Sequence, residues 1–337
     1  MNPPTRGGPV RISVFNHKGG VGKTTITMNL GATLARMGRR VLLVDSDPQC
    51  NLTSYLVTQE VVDDLLDTSD GEDGRTIWSA LKPVSEGLGG FRYVAPIESG
   101  IERLFLLPGD IRLSEFESDL NEFWGLTAQR KLRGFRGTTA ISELITAVAR
   151  NLDIDYVFYD SGPNIGPLNR AVLLDCDYFI IPVACDLFSL RALRTLGRTL
   201  GQWVTSWSAI RDLAPDDVYV LPGLPTFLGY IPEGFRVYRG TVASQPARFL
   251  ARIDKEIQQQ IVTVLRGVDP RLAEASLPRL RLGGIKNLGA LIPASQDQGA
   301  LVYEVEAGSP EQRTQARKAF RQLATRVDNR VRELRGL

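Results

Sequence analysis

The sequence predicts an α/β protein built on a doubly wound, mostly parallel sheet with helices on both faces. Three observations carry that expectation. Short β-branched or aliphatic runs alternate with longer amphipathic stretches, the order of a parallel sheet covered by helices. A glycine-rich segment sits directly between the first such run and the first helix-like stretch. The 337 residues are 43% hydrophobic and 23% charged, with a net charge of +2, values of an ordinary globular chain that exclude global disorder.

The candidate buried strands, in chain order, are Val10–Phe15, Val41–Asp45, Leu104–Leu107, Tyr156–Asp160, Tyr178–Val183, Val218–Leu221 and Gly289–Ile292. Several end in a turn residue, as strands do when they feed a functional loop in an open α/β sheet. The acidic, glycine-bearing stretch from Val57 to Gly90 reads as surface elaboration, and Gly125–Gly137 (with Arg130, Lys131, Arg133 and Arg136) as a second irregular insertion. No linker divides the chain, so a single domain over residues 1–337 is expected, with insertions at about 57–90 and 110–140. No apolar run reaches the roughly 18 residues of a membrane span, and Pro182 interrupts the longest candidate. Met1–Val10 does not read as a secretory signal, nor as room for an added helix-turn-helix. Cys50, Cys176 and Cys185 form no CxxC pair, which argues against a disulfide framework or a tetrahedral metal site and fits a reducing compartment.

The most informative residues are Asn16-His17-Lys18-Gly19-Gly20-Val21-Gly22-Lys23-Thr24-Thr25, between the strand Val10–Phe15 and the amphipathic run Ile26–Met37. Glycines there let backbone N–H groups curl around phosphate oxygens, and a helix N-terminus adds positive potential. Lys23 is placed to reach the terminal phosphates and the Thr24 hydroxyl to ligate Mg2+, the chemistry of a P-loop NTPase. The common G-x-x-x-x-G-K-[ST] spacing is not met, because His17 stands where its first glycine belongs and Lys18 follows. Asp45 and Asp47 close the second strand opposite this loop, and Asp160 follows an apolar run; carboxylates so placed suit a magnesium site. His17, the one histidine, reads as non-catalytic, and the three cysteines as packing.

The resulting K-G-G-x-G-K-T-T resembles the deviant phosphate loop of the ParA/MinD family, closest to the ParA/Soj-type partition ATPases. Val41–Gln49 with Asn51-Leu52-Thr53-Ser54 is similar to that family's second motif, and Asp160-Ser161-Gly162-Pro163 to its Walker B and switch II. Ile181-Pro182-Val183 with Phe188-Ser189-Leu190, and Ile292-Pro293 with Glu306–Pro310, extend the likeness to about residue 330. The resemblance implies an ATP- and Mg2+-dependent hydrolase that pairs into a homodimer. Lys18 reaches the partner's phosphates, Asp47 orients the attacking water, and Asp160 and Asp45 serve the metal side. Gly19 to Thr25 cradle the phosphates and Pro293 faces the adenine; ATP over GTP rests on the resemblance alone.

The resemblance also implies sequence-blind DNA binding, a ParB-like adaptor and action on nucleoid DNA in the cytoplasm. Glu311–Leu337 carries eight basic and three acidic residues, net +5, on an amphipathic helix at about 311–335. Arg317, Lys318 and Arg321 on it, and Arg191, Arg194 and Arg198 on one face of an earlier helix, are the expected phosphate contacts. Solvated arginines over a packed stripe remain an alternative for the terminal helix. So does membrane association of the MinD kind, which its Trp-free apolar face disfavours. A metal-cluster relative, which the lack of paired cysteines argues against, and a nucleotide-gated switch subunit also compete.

Overall fold

The computed structural model describes residues 8–336 apart from 236, 239, 240 and 243, and gives the backbone course alone for 237, 238, 241, 242 and 244–247. The strands are β1 (Val10–Val14), β2 (Val41–Ser46), β3 (Ile97–Glu98), β4 (Leu104–Leu107), β5 (Tyr156–Ser161), β6 (Tyr178–Ala184), β7 (Thr226–Phe235), β8 (Val237–Tyr238), β9 (Thr241–Val242) and β10 (Ile285–Lys286). The helices are α1 (Lys23–Arg36), α2 (Asn51–Leu56), α3 (Gln59–Thr68), α4 (Ile77–Ser85), α5 (Leu113–Ala128), α6 (Leu132–Asn151), α7 (Pro167–Asp175), α8 (Leu187–Arg211), α9 (Ser244–Glu256), α10 (Thr263–Val268), α11 (Leu277–Leu280), α12 (Leu291–Gln298) and α13 (Pro310–Arg335).

Eight strands form one sheet in the order β10-β7-β6-β1-β5-β2-β4-β3, and only β3 runs antiparallel to its neighbour. The order reverses around β1, the topological switch point where open α/β sheets bind ligands beyond their strand ends. Both faces are covered. α4 to α8 pack one side around Phe15, Tyr159 and Trp207; α1, α12 and α13 pack the other around Phe158, Ile231 and Phe320. This double burial is why the strands read as near-continuous apolar runs. Among the described residues, no helix is long and apolar enough to cross a membrane.

Four expectations change. Val218–Leu221 is irregular and pairs with no strand. Gly289–Ile292 is a turn entering α12, with Gly289 at φ +51°, and the edge strand is β10 just upstream. Residues 57–90 are not mere surface elaboration: α4 starts on a Thr76/Ser79 capping box and buries Ile77, Trp78, Leu81 and Val84 in the core. Burial of each such side chain contributes about 1.5–3 kcal/mol. Likewise 125–137 is the end of α5, a short break and the start of α6, not an irregular loop.

Candidate nucleotide-binding site

The segment after β1 is held open by backbone geometry. Asn16 donates from Nδ2 to the Pro182 carbonyl (2.8 Å) and its Oδ1 accepts from the Lys18 N–H (3.0 Å), tying the loop to β6. Gly20 and Gly22 adopt φ of +70° and +71°, a left-handed geometry that side chains resist. Gly22 caps α1, whose start has no side-chain cap and no acidic residue in its first turn. α8 and α13, by contrast, carry Asp186 and Ser309 caps. The first amides of α1 are therefore left for an external anion. Lys23 is buried, its ammonium donating to the Lys18 carbonyl (3.2 Å). Burial lowers its pKa, while Asp160 and Asp47 oppose that drop.

β2 and β5 pair in register, Asp45 opposite Asp160. Both carboxylates are at most 1% exposed, yet their surroundings differ. Asp45 Oδ2 accepts from the Thr53 N–H (2.8 Å) and hydroxyl (2.6 Å), and Oδ1 accepts from the Asp47 N–H (3.3 Å). A Cβ at Gly109 would lie 2.8 Å from the Asp45 carboxyl carbon, so the group is walled in. Burial still pushes Asp45 up to about 6. Asp45, expected on the metal side, thus spends its oxygens on the 47–53 loop. Neither oxygen of Asp160 has a hydrogen-bond partner. Burial, with Asp45 adding to it, pushes this carboxyl up to about 8, and the Lys23 ammonium opposes the rise. A buried, orphaned carboxylate beside a threonine hydroxyl and a lysine fits a hydrated divalent cation.

Asp47 is buried; its Oδ1 accepts from the Gln49 N–H (3.0 Å), and a Cβ at Gly162 would lie 3.1 Å away. Asn169 Nδ2 donates to the carbonyls of Gly162 and Asn164 (3.0 Å each), fixing the loop after Asp160. Lys18 does not point into solvent. Its ammonium donates to Asp186 Oδ2 (2.5 Å) and Ser189 Oγ (2.9 Å), where Asp186 caps α8 by accepting from the Ser189 N–H (2.8 Å). Burial alone would raise the Asp186 pKa; the Lys18 and Ser189 contacts prevail and lower it.

Several residues at this edge escape sequence reasoning. Glu233, at the end of β7, faces the phosphate loop: a Cβ on Gly22 would stand 3.4 Å from its Oε2. Burial pushes it up to about 7, against Lys18 and with Asp186. Glu117 of α5 abuts Gly166 at the start of α7, and burial raises its pKa. Asp186 alone had a sequence signal, a D-x-x-S cap at a helix start.

Other expected residues lie apart. Pro293 sits exposed in α12, which packs on α2 through Tyr55 and Ser295, rather than in a loop after a strand. His17 is half-buried, its pKa lowered by burial and then by Lys23. Cys50 and Cys176 are buried. Arg191, Arg194 and Arg198 are exposed on one face of α8, and Arg317, Lys318 and Arg321 on α13. Other α13 arginines are less open: Arg330 is buried, and Arg335 donates to the Gly8 and Pro9 carbonyls and pairs with Asp177.

A glycine cradle on an uncapped helix, a buried lysine at its start and a spare carboxylate on the adjacent strand define a P-loop nucleotide-binding protein of the α/β class. A family model described as an AAA domain (AAA_31) matches residues 10–209, and with its two loop lysines the chain belongs to the ParA/MinD family. It is 34% identical over 195 residues to the sporulation initiation inhibitor protein Soj of Bacillus subtilis, a match covering 56% of this chain and 64% of Soj. It is 33% identical over 196 residues to the chromosome partitioning protein ParA of Caulobacter vibrioides, covering 57% and 62%. The matches thus span less than two thirds of either relative. The crystal structure of protein DIP2308 from Corynebacterium diphtheriae is similar at TM-score 0.68 and 29% identity, over 86% of this chain and 97% of that one.

Proposed function

We propose that this chain is a ParA-type ATPase that takes ATP and Mg2+ on the uncapped start of α1. It then pairs face to face with a second copy, holds DNA without regard to sequence, and hydrolyses ATP to release it. The orphaned carboxylate of Asp160 beside Thr24 and Lys23 is the observation that carries this reading.

The amides of residues 19–25 receive the phosphates, and the Lys23 ammonium turns from the Lys18 carbonyl toward them. The Thr24 hydroxyl and Asp160 would hold Mg2+, which would supply charge neutralisation across the terminal phosphates. Asp47, held by the Gln49 amide and packed on Gly162, orients the attacking water. Asp45 serves the site indirectly, by fixing the loop that carries Asp47. Lys18 leaves Asp186 and Ser189 to reach the partner's nucleotide, so hydrolysis requires pairing. The relative named for chromosome partitioning supports DNA as the cargo. On this reading the protein acts on the nucleoid and a ParB-like adaptor speeds hydrolysis. The exposed arginines of α8 and α13 support the DNA contact.

Lys18→Ala tests the reading. With ATP, sedimentation shows the parent shifting to dimer and the variant remaining monomeric, while fluorescent-nucleotide binding to the monomer persists. Turnover falls about 100-fold or more, the scale of losing one preorganised charge at a developing anion. A variant that pairs and turns over like the parent overturns it.

A further inference from the structure

We propose that a cleft between α11 and α13 holds a backbone phosphate of DNA, with Glu333 acting as the internal counterion that the phosphate displaces. This rests on the DNA-binding reading above. The cleft encloses about 300 Å³ and is lined by Arg279, Arg281, Arg326 and Arg330, with Glu333 the only acid among its lining residues. Arg279 donates to both Glu333 oxygens (2.5 and 2.6 Å), and Arg330 to one of them (3.0 Å). Arg330 is only 7% exposed, and its Nε is buried without a partner. Arg326 donates to the Leu282 carbonyl (3.3 Å), and Arg281 lies 3.7 Å from Asp254 of α9.

Two guanidinium groups share the Glu333 carboxylate and two more line the same cleft, which leaves donor capacity that matches phosphate oxygens, for which arginine forks are suited. A shallow depression on the outer surface of α13, lined by Arg321, Gln322, Thr325 and Arg326, shares Arg326 with the cleft. Basic side chains that run on from the cleft along the surface of α13 suit the repeated phosphates of a strand better than one small anion. Because Glu333 already occupies two arginines, its removal and theirs shift affinity in opposite directions.

The experiment measures binding of ATP-loaded full chain to a labelled mixed-sequence duplex across a salt series. Arg281→Gln with Arg326→Gln weakens binding about tenfold and lowers the salt slope by about two, one per lost phosphate contact. Glu333→Gln tightens binding about threefold, whereas Glu311→Gln, the same charge change outside the cleft, alters it less than about twofold. Should the arginine pair fail to fold, judged by melting and basal ATPase, the contrast between Glu333→Gln and Glu311→Gln decides alone. If the parent binds DNA but the arginine pair matches it and Glu333→Gln matches Glu311→Gln, the cleft assignment falls and the DNA reading stands. If the parent itself binds no DNA with ATP, both fall.

Discussion

The ends of β2 and β5 lie side by side, each with an aspartate shut away from water, and they do opposite things. Asp45 is saturated by three donors and walled by Gly109; Asp160 has none. A buried carboxylate without partners costs folding free energy and persists where a ligand completes it. The saturated one is architecture. The pair shows that residue type and burial do not separate a binding group from a structural one; hydrogen-bond accounting does.

The sharpest way to break the contrast is Asp160→Ala. Phosphate release falls about 100- to 1,000-fold, the scale of removing one preorganised charge-handling group. The melting temperature stays level or rises, because no native hydrogen bond is lost. A variant that melts well below the parent would refute the spare role given to Asp160.

Asp45→Ala should do the reverse. Leaving the Thr53 and Asp47 donors without their acceptor costs about 2–4 kcal/mol, read as a lower denaturation midpoint at unchanged slope. Nucleotide affinity changes only as far as the 47–53 loop loosens. Equal stability of the two alanine variants would end the distinction.

Glu233 extends the comparison to a third strand end, with a smaller effect. Burial raises its pKa to about 7, Lys18 opposing and Asp186 adding. Above that pH it is an anion facing a polyanion, so affinity present at low pH is lost as pH rises through about 7. The ratio of parent to Glu233→Gln affinity for ADP, which cancels the titration of the nucleotide, falls about fivefold between about pH 6 and 8. A flat ratio removes Glu233 from the site.

The phosphate loop was legible because its chemistry is contiguous: ten residues carry the glycines, both lysines and the threonines between a strand and a helix. Lys18, Lys23, Asp47 and Asp160 could be picked out, and so could the sheet's central strands. What sequence could not show comes from neighbours set by the order β7-β6-β1. Glu233 reaches the loop across two strand boundaries, and Asp186 meets Lys18 from 168 positions away. Gly289–Ile292 misled because a short apolar run after glycine suits a buried strand or a helix start equally; Leu291 and Ser295, one turn apart, both face inward in α12. The arginines of α13 look alike in sequence, but Arg330 is buried against Glu333 and Arg335 is tied to the Gly8 carbonyl, while Arg317 and Arg321 stand exposed.

Gly197 lies midway along α8, where a Cβ would stand 1.7 Å from the Gln260 carbonyl oxygen in the π-helical turn Ile257–Val262. Two backbones meet there without side chains between them, so any residue larger than glycine at 197 would push α8 away from that turn. Because Asp186 caps this same helix and holds Lys18, such a substitution would also displace the acceptor against which the lysine rests.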